Sequence, residues 1–333
     1  MGGRALQKYG VFTERKNTDE FKQIGYELAQ IVSSDFNTIC EVVTCYHTKE
    51  THGDLDLLVM VDHNSNINWK NYIEFTFKPN AIYCNGGVYS FDYKNFQVDI
   101  IPIINTKWET AKIYFSYDPL GNIMGKTYHK FGLSYGWQGL FYKFRNFKGS
   151  NSHDILLSND ARKIFEFGGY DYDRYLQGFD TLEDIFKFCI AGKYFDTVMF
   201  QMENLNSIDK KRNRKRGSYH LFLNYLKDNE INVSYPFNRN KSDYVDIISQ
   251  YFPEANLTGE LDRLNKIDAR NKMISQKFNG DIVMSWLPDL RGGELGAAIS
   301  KFKNALDDDY NDFILNSSYE AIKNRFMLIY YER

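Results

Sequence analysis

The stretch from Lys49 to Val59, KETHGDLDLLV, restricts the fold of this chain more than any other segment. Residues 54–61, DLDLLVMV, read as a strand, and the unbroken apolar run Leu57–Val61 is that of a central strand covered on both faces. Side chains at i and i+2 of a strand point to the same side, so Asp54 and Asp56 project together. Two like charges ~4 Å apart at an effective dielectric of ~20 repel by about 4 kcal/mol. Something cationic has to offset them.

A further carboxylate has the same character. Asp99 interrupts another apolar β run, FQVDIIPII at 96–104. Three carboxylates on adjacent strands suit two Mg²⁺ ions, hard cations that prefer oxygen ligands and keep positions open for substrate phosphates, with Mn²⁺ as a substitute. Two such ions about 3.5–4 Å apart clamp the attacking and departing oxygens of an in-line displacement. Asp54, Asp56 and Asp99 are therefore the candidate metal ligands and catalytic residues.

Around this motif the chain divides by pattern. Residues 18–33 carry Phe21, Ile24, Leu28 and Ile31 at helical spacing, with Thr18 and Asp19 as candidate caps. Short β-branched and aromatic runs follow at 38–46, 54–61, 72–77, 87–93 and 96–104, separated by Asn, Gly, His and Pro, which predicts a sheet of about five strands. From Lys107 onward helical patterns dominate, among them 181–190, 244–252, 261–278 and 295–306. The expected fold is α+β: a mixed or antiparallel sheet with flanking helices in residues 1–149, then a mainly helical body in 150–333. The boundary is placed at the small, polar run 149–152, with the charged run 209–216 as a second candidate.

Of 333 residues, 43% are apolar, enough to bury a sizeable core. The formal charge of −2 excludes a uniformly basic nucleic-acid coat, so a polyanion must be met by a local patch. One is present: Lys210, Lys211, Arg212, Arg214, Lys215 and Arg216 put six cations into seven residues. Lys143, Arg145 and Lys148, interleaved with Phe144 and Phe147, form a weaker basic and aromatic candidate. The four cysteines show no C-x-x-C spacing and form no zinc pattern with the histidines. No apolar run reaches the ~20 residues needed to span a bilayer, and no signal peptide is recognisable, so a soluble, cytoplasmic protein with no membrane partner is expected. Nothing in the sequence sets the oligomeric state.

Gly53-Asp54-Leu55-Asp56-Leu57-Leu58, with Val98-Asp99-Ile100 downstream, resembles the signature of the DNA polymerase β-like nucleotidyltransferase superfamily. The likeness is greatest to the X-family DNA polymerases, where a Glu and small polar residues precede the Gly-Asp as Glu50, Thr51 and His52 do here. It implies a nucleotidyltransferase palm, Asp54 and Asp56 binding both metals, and Asp99 binding the metal beside the attacking hydroxyl. The family's Gly-Ser turn falls on Val43 and Thr44, so the resemblance gives Thr44 the hydroxyl role toward a phosphate beside Gly53.

Tyr114-Phe115-Ser116, Asn122 and Lys126 look like the family's Tyr-Phe-Thr-Gly block and its following Asn and Arg. Tyr117 stands in the Gly position and Lys126 in the Arg position. The resemblance implies that Tyr114 and Phe115 line the sugar and base of an incoming nucleotide, and that Asn122 and Lys126 touch base edges. Lys107 and Lys112 are further cations available to a triphosphate. In residues 278–306, Gly280, Gly293, Glu294, Leu295 and Gly296 are similar to the tail motif of bacterial CCA-adding and poly(A) polymerases.

Three functions follow from these likenesses. The first is addition of nucleotides from a nucleoside triphosphate to a nucleic-acid 3′ end, with release of pyrophosphate. The second keeps the chemistry but takes a tRNA or other RNA end as acceptor. The third is a catalytically inactive relative that binds nucleic acid or protein.

Overall fold

A computed structural model describes residues 3–332, Asn151 by its backbone alone. The chain forms two compact units. One contains the chain up to Lys143 together with Ile155–Ala255; the other contains Phe144–Asp154 together with the chain from Asn256 onward.

The first unit opens with β1 (Lys16–Asn17), which runs antiparallel to β3 (Thr51–His52). Helix α1 (Thr18–Phe36) follows. Its cap is Asn17 rather than Thr18 or Asp19: the Asn17 side chain accepts from the Glu20 amide and Glu20 reaches back to the Asn17 amide. The helix buries Phe21, Ile24, Leu28 and Val32 against the sheet.

That sheet has five strands. They are β2 (Cys40–Val42), β4 (Asp54–Val61), β5 (Ile82–Asn85), β6 (Val88–Tyr93) and β7 (Phe96–Ile104), in the order β2-β4-β7-β6-β5. The central pair β4 and β7 is parallel, and the other pairings are antiparallel, so the sheet is mixed. Leu55, Leu57, Val59, Val98 and Ile100 face α1 and α2 (Trp69–Phe77). Leu58, Ile101 and Ile103 face the other way, against Trp108 and Ala111. Cover on both faces explains the continuous apolar run of β4.

The run 72–77, expected as a strand, is the second half of α2. Asn68 accepts from the Asn71 amide and starts the helix, while Trp69 and Ile73 at i and i+4 supply its buried face. Phe75 is left in solvent. The fifth strand is instead β5, joined to β6 by Gly86-Gly87, both with positive φ, the backbone that a two-residue hairpin turn needs.

After the sheet come α3 (Trp108–Phe115), α4 (Leu120–Lys130), and a second sheet in the order β10-β9-β8, with β8 (Leu133–Gly136), β9 (Gly139–Arg145) and β10 (Asn151–Ser158). Residues 144–154, the end of β9 and the start of β10, belong to the second unit; helices α5 (Ala161–Gly168), α6 (Tyr172–Leu176), α7 (Leu182–Ile190), α8 (Ser207–Asn213), α9 (Gly217–Asp228) and α10 (Val245–Tyr251) complete the first. The expected division at residue 149 therefore gives way to one that keeps residues 155–255 with the first sheet. Aromatic packing is the reason: Phe131 contacts Phe167, Tyr194, Phe237 and Tyr244, and the Tyr128 hydroxyl donates to the Ile164 carbonyl.

The second unit contains α11 (Leu257–Lys277), α12 (Gly280–Trp286), α13 (Gly292–Leu306), α14 (Tyr310–Asn316) and α15 (Tyr319–Tyr331). They enclose a core that includes Phe278, Val283, Phe302, Ile314, Ile322 and Phe326. The segment that resembles the CCA-adding tail lies here as α12 and α13, with Gly292 at φ +51 opening α13 and Glu294 in its first turn. Among the described residues, no helix is long and apolar enough to cross a membrane.

Candidate active site

The parallel register of β4 and β7 sets Asp56 beside Asp99 and Asp54 beside Gln97. Alternation then puts Asp54, Asp56, Gln97 and Asp99 on one face, at the start of both strands and just before the apolar patch of Leu58 and Ile101. All three carboxylates are half-buried and line one cavity of about 420 Å³.

Few donors answer them. The Gly3 amide donates to Asp54 Oδ2 at 3.2 Å, and Gln97 Nε2 donates to Asp99 Oδ1 at 2.9 Å. Gln97 is itself held by the Ala5 amide at 2.9 Å. Burial raises the Asp54 carboxyl, with the Gly3 amide and Lys49 acting the other way. Burial followed by the charges of Asp54 and Asp99 pushes Asp56 well above the usual carboxylate range. Asp99 is pushed up to about 6 by burial and then by Asp54, against hydrogen bonds from Ser90 and Gln97.

Basic residues also line the cavity. Arg212 and Arg216 reach it from α8 and from the N-cap of α9, Ser218 from the first turn of α9, and Arg15 and Lys49 from the segments around β1 and β3. A fourth carboxylate, Asp118, also lines it. Asp118 accepts from Ser218 Oγ at 2.7 Å and lies 3.7 Å from Arg216 Nη1.

Thr44, Gly53, Tyr114, Phe115 and Asn122 all line the same cavity. Asn122 Oδ1 is buried there without a hydrogen-bond partner. Tyr117 takes φ +58, the left-handed backbone that favours glycine, where the resembled family has glycine. At a cost of about 1–2 kcal/mol, it is held by a hydrogen bond that its backbone N–H donates to the Thr44 carbonyl and by edge contacts with Tyr175 and Phe179.

Other expected residues lie elsewhere. Lys126 is buried away from the cavity, its Nζ 3.5 Å from Asp209 and 5.4 Å from the Tyr219 ring centre. Burial lowers its pKa, opposed by Asp209. Lys112 pairs with Glu41, and Lys107 is outside the lining. Of the basic run, Lys210 donates to the Glu203 carbonyl, while Lys211, Arg214 and Lys215 are exposed. Arg145 donates to the Gly149 carbonyl, and Lys148 lies over its neighbour Phe147.

Arg15, Lys49, Asp118 and Ser218 carried no signal that marked them individually, although Lys49 stands within the motif, Asp118 within the block at 114–122 and Ser218 two residues after the basic run.

The donor set fits hard divalent cations: three carboxylates, partly buried and mutually repelling, with an open cavity in front of them. As the side chains stand, no group of three or more His, Cys, Asp or Glu among the described residues is drawn together closely enough to hold a metal ion. Amide donors hold Asp54 and Asp99 instead. A larger cavity of about 510 Å³, beside Leu223, Leu226 and Ile231, has only the solvated ionisable groups Glu203, Lys227 and Glu230 in its lining. The three strand carboxylates line the smaller one.

No family model matches the sequence, and no curated protein matches it. Among solved structures, a ternary primer–template complex of Leishmania infantum polymerase beta is similar over 52% of this chain and 80% of that one, at 15% identity and a TM-score of 0.38. A ternary gap complex of Leishmania infantum polymerase beta is similar over 42% and 55%, at 16% identity and a TM-score of 0.34. Likenesses of this degree fix neither a family nor an activity for the chain.

Proposed function

We propose that this chain is a metal-dependent nucleotidyltransferase that transfers a nucleotide from a nucleoside triphosphate to the 3′ hydroxyl of a nucleic acid and releases pyrophosphate. The observation that carries the reading is the meeting of opposites in one cavity: Asp54, Asp56 and Asp99 come from β4 and β7, and Arg212, Arg216 and Ser218 from α8 and the start of α9. Carboxylates without enough donors call for cations, and cationic side chains lining the same cavity call for a polyanion.

Asp54, Asp56 and Asp99 would hold the divalent ions, Mg²⁺ or Mn²⁺. When bound, such ions lower the pKa of an attacking hydroxyl and spread the charge of the departing pyrophosphate. Asp99, the carboxylate nearest the attacking hydroxyl in this reading, would accept its proton. The new O–P bond forms at the α-phosphorus as the bond to the bridging oxygen of the pyrophosphate breaks.

Arg212, Arg216, Ser218 and Lys49 take the outer phosphates, with the first amides of α9 adding their partial positive charge. This group does the work that the missing Gly-Ser turn at Val43 and Thr44 leaves undone, and the Thr44 hydroxyl adds to it. Tyr114 and Phe115 offer stacking faces to the base and sugar, and Asn122 lies in the same lining, where a base edge would sit. Lys211, Arg214 and Lys215 remain as the solvent-facing cations for an acceptor backbone.

The test is an extension assay with each NTP and dNTP, Mg²⁺ or Mn²⁺, and labelled primer–template, single-stranded DNA, RNA or tRNA. Template-dependent extension identifies a DNA polymerase activity; untemplated addition to RNA identifies the terminal-transferase form. The reading fails if no acceptor is extended and Asp99→Asn leaves metal and nucleotide binding unchanged.

A further inference from the structure

Asp118 belongs to the turn between α3 and α4, directly after the left-handed Tyr117. It lines the cavity near enough to Asp54 and Asp56 to raise both carboxyls, yet its own contacts are with the α8–α9 junction. Its two oxygens are spoken for: Oδ2 accepts from Ser218 Oγ at 2.7 Å, and Oδ1 lies 3.7 Å from Arg216 Nη1. One carboxylate thus engages both donors that the α8–α9 junction presents.

A cation and a hydroxyl donor converging on two oxygens of one anionic group is also how a terminal phosphate would be held. We propose that Asp118 occupies the outermost phosphate subsite when no ligand is bound and is displaced by a polyphosphate, so that it tempers the hold of the cavity on a triphosphate tail and leaves a monophosphate unaffected. This rests on the nucleotidyltransferase reading and adds to it a residue that tunes triphosphate and pyrophosphate affinity. A terminal phosphate carries about two charges and three acceptor oxygens against one charge and two oxygens for the carboxylate, so it wins the exchange. A mononucleotide bound at Tyr114 and Phe115 leaves Arg216 and Ser218 with Asp118 and gains nothing from them. As pyrophosphate forms, the returning carboxylate competes for the same donors and hastens its release.

Asp118→Asn keeps an oxygen for Ser218 and removes the charge; Asp118→Ser is the second variant should the first fold poorly by circular dichroism. Calorimetric titration in Mg²⁺ with tripolyphosphate, a non-hydrolysable ATP analogue and AMP is expected to show the first two binding about three- to tenfold more tightly to the variants, because competition with one charge-assisted pair is gone. AMP affinity is expected to stay unchanged. Equal or weaker binding of tripolyphosphate overturns the proposal, and so does equal tightening of AMP, which would report a general charge effect. If the wild type binds nucleotide and the variants bind it no more tightly, only the role of Asp118 falls. If no form of the protein binds tripolyphosphate or nucleotide, the nucleotidyltransferase reading falls and takes this proposal with it.

Discussion

Replacing Asp99 by asparagine is expected to make the metal-free protein more stable. The side chain keeps its shape and its acceptor for Gln97 Nε2, but the charge opposed to Asp54 and Asp56 is gone. In the folded protein the Asp99 carboxyl is raised from 3.8 to about 6. At about 1.4 kcal/mol per tenfold change in proton affinity, holding it ionised costs about 3 kcal/mol. Asp99 is only half-buried and faces cavity water, which screens part of this, so a gain of about 1–2 kcal/mol is expected at about pH 7.5.

The sign follows from linkage. Because the folded pKa is raised, the cost is absent below the unfolded value near 3.8, grows as pH rises, and is complete above about 6. Wild type and Asp99→Asn should therefore unfold alike at low pH and diverge between pH 4 and 6, to a difference of about 2–6 °C in Tm. Differential scanning fluorimetry in chelator across that range measures it. Titrated Mg²⁺ should then raise the Tm of the wild type more than that of the variant. A variant no more stable than wild type at neutral pH, or a difference that ignores pH, refutes the picture of an uncompensated carboxylate cluster.

Arg212→Gln with Arg216→Gln should weaken triphosphate binding by about tenfold or more and flatten its salt dependence, measured by titration at several ionic strengths; an unchanged affinity would remove both arginines from the phosphate wall. His52 is buried, stacks on Phe21 at 3.7 Å, and has neither ring nitrogen partnered, so burial lowers its pKa from 6.5 to about 4. The unfolded chain takes a proton that the folded one refuses, and stability is lost as pH falls from 6.5 toward 4. His52→Phe should remove about 2–3 kcal/mol of that loss in urea titrations, read as the difference from wild type at each pH. Lys126→Met strands Asp209 beside a buried apolar side chain and should destabilise by about 3 kcal/mol; an unchanged urea midpoint would show that the pair contributes nothing.

Much of the fold could be read from local pattern. The α+β order, the helix at 18–36 and four of the five central strands follow from periodicity that each segment carries by itself. The failure at 72–77 was also local in origin, since a run rich in Tyr, Ile and Phe satisfies strand propensity, and only the Asn68 cap together with the Trp69 and Ile73 spacing tips it into α2. The division of the chain was less legible. Charge and glycine content mark turns, and residues 146–150 do form one between β9 and β10, but whether the chain then leaves a unit depends on which aromatic faces meet, and those of α5 to α10 return to the first.

The same contrast runs through the site. The sequence alone determined that Asp54 and Asp56 share a face, because two-residue alternation is a property of any strand, and it marked Asp99 as a third carboxylate where an apolar residue was due. That Asp56 and Asp99 stand side by side is a matter of parallel register between β4 and β7, which no segment specifies by itself. The basic run shows the limit most plainly. Its composition announced a polyanion, yet only the packing of α8 and α9 brings Arg212 and Arg216, and not Lys211, Arg214 or Lys215, into the cavity lining. Side-chain chemistry is written in the sequence, but which charges face one another is fixed by packing between elements far apart in it, and electrostatics depends on that distance.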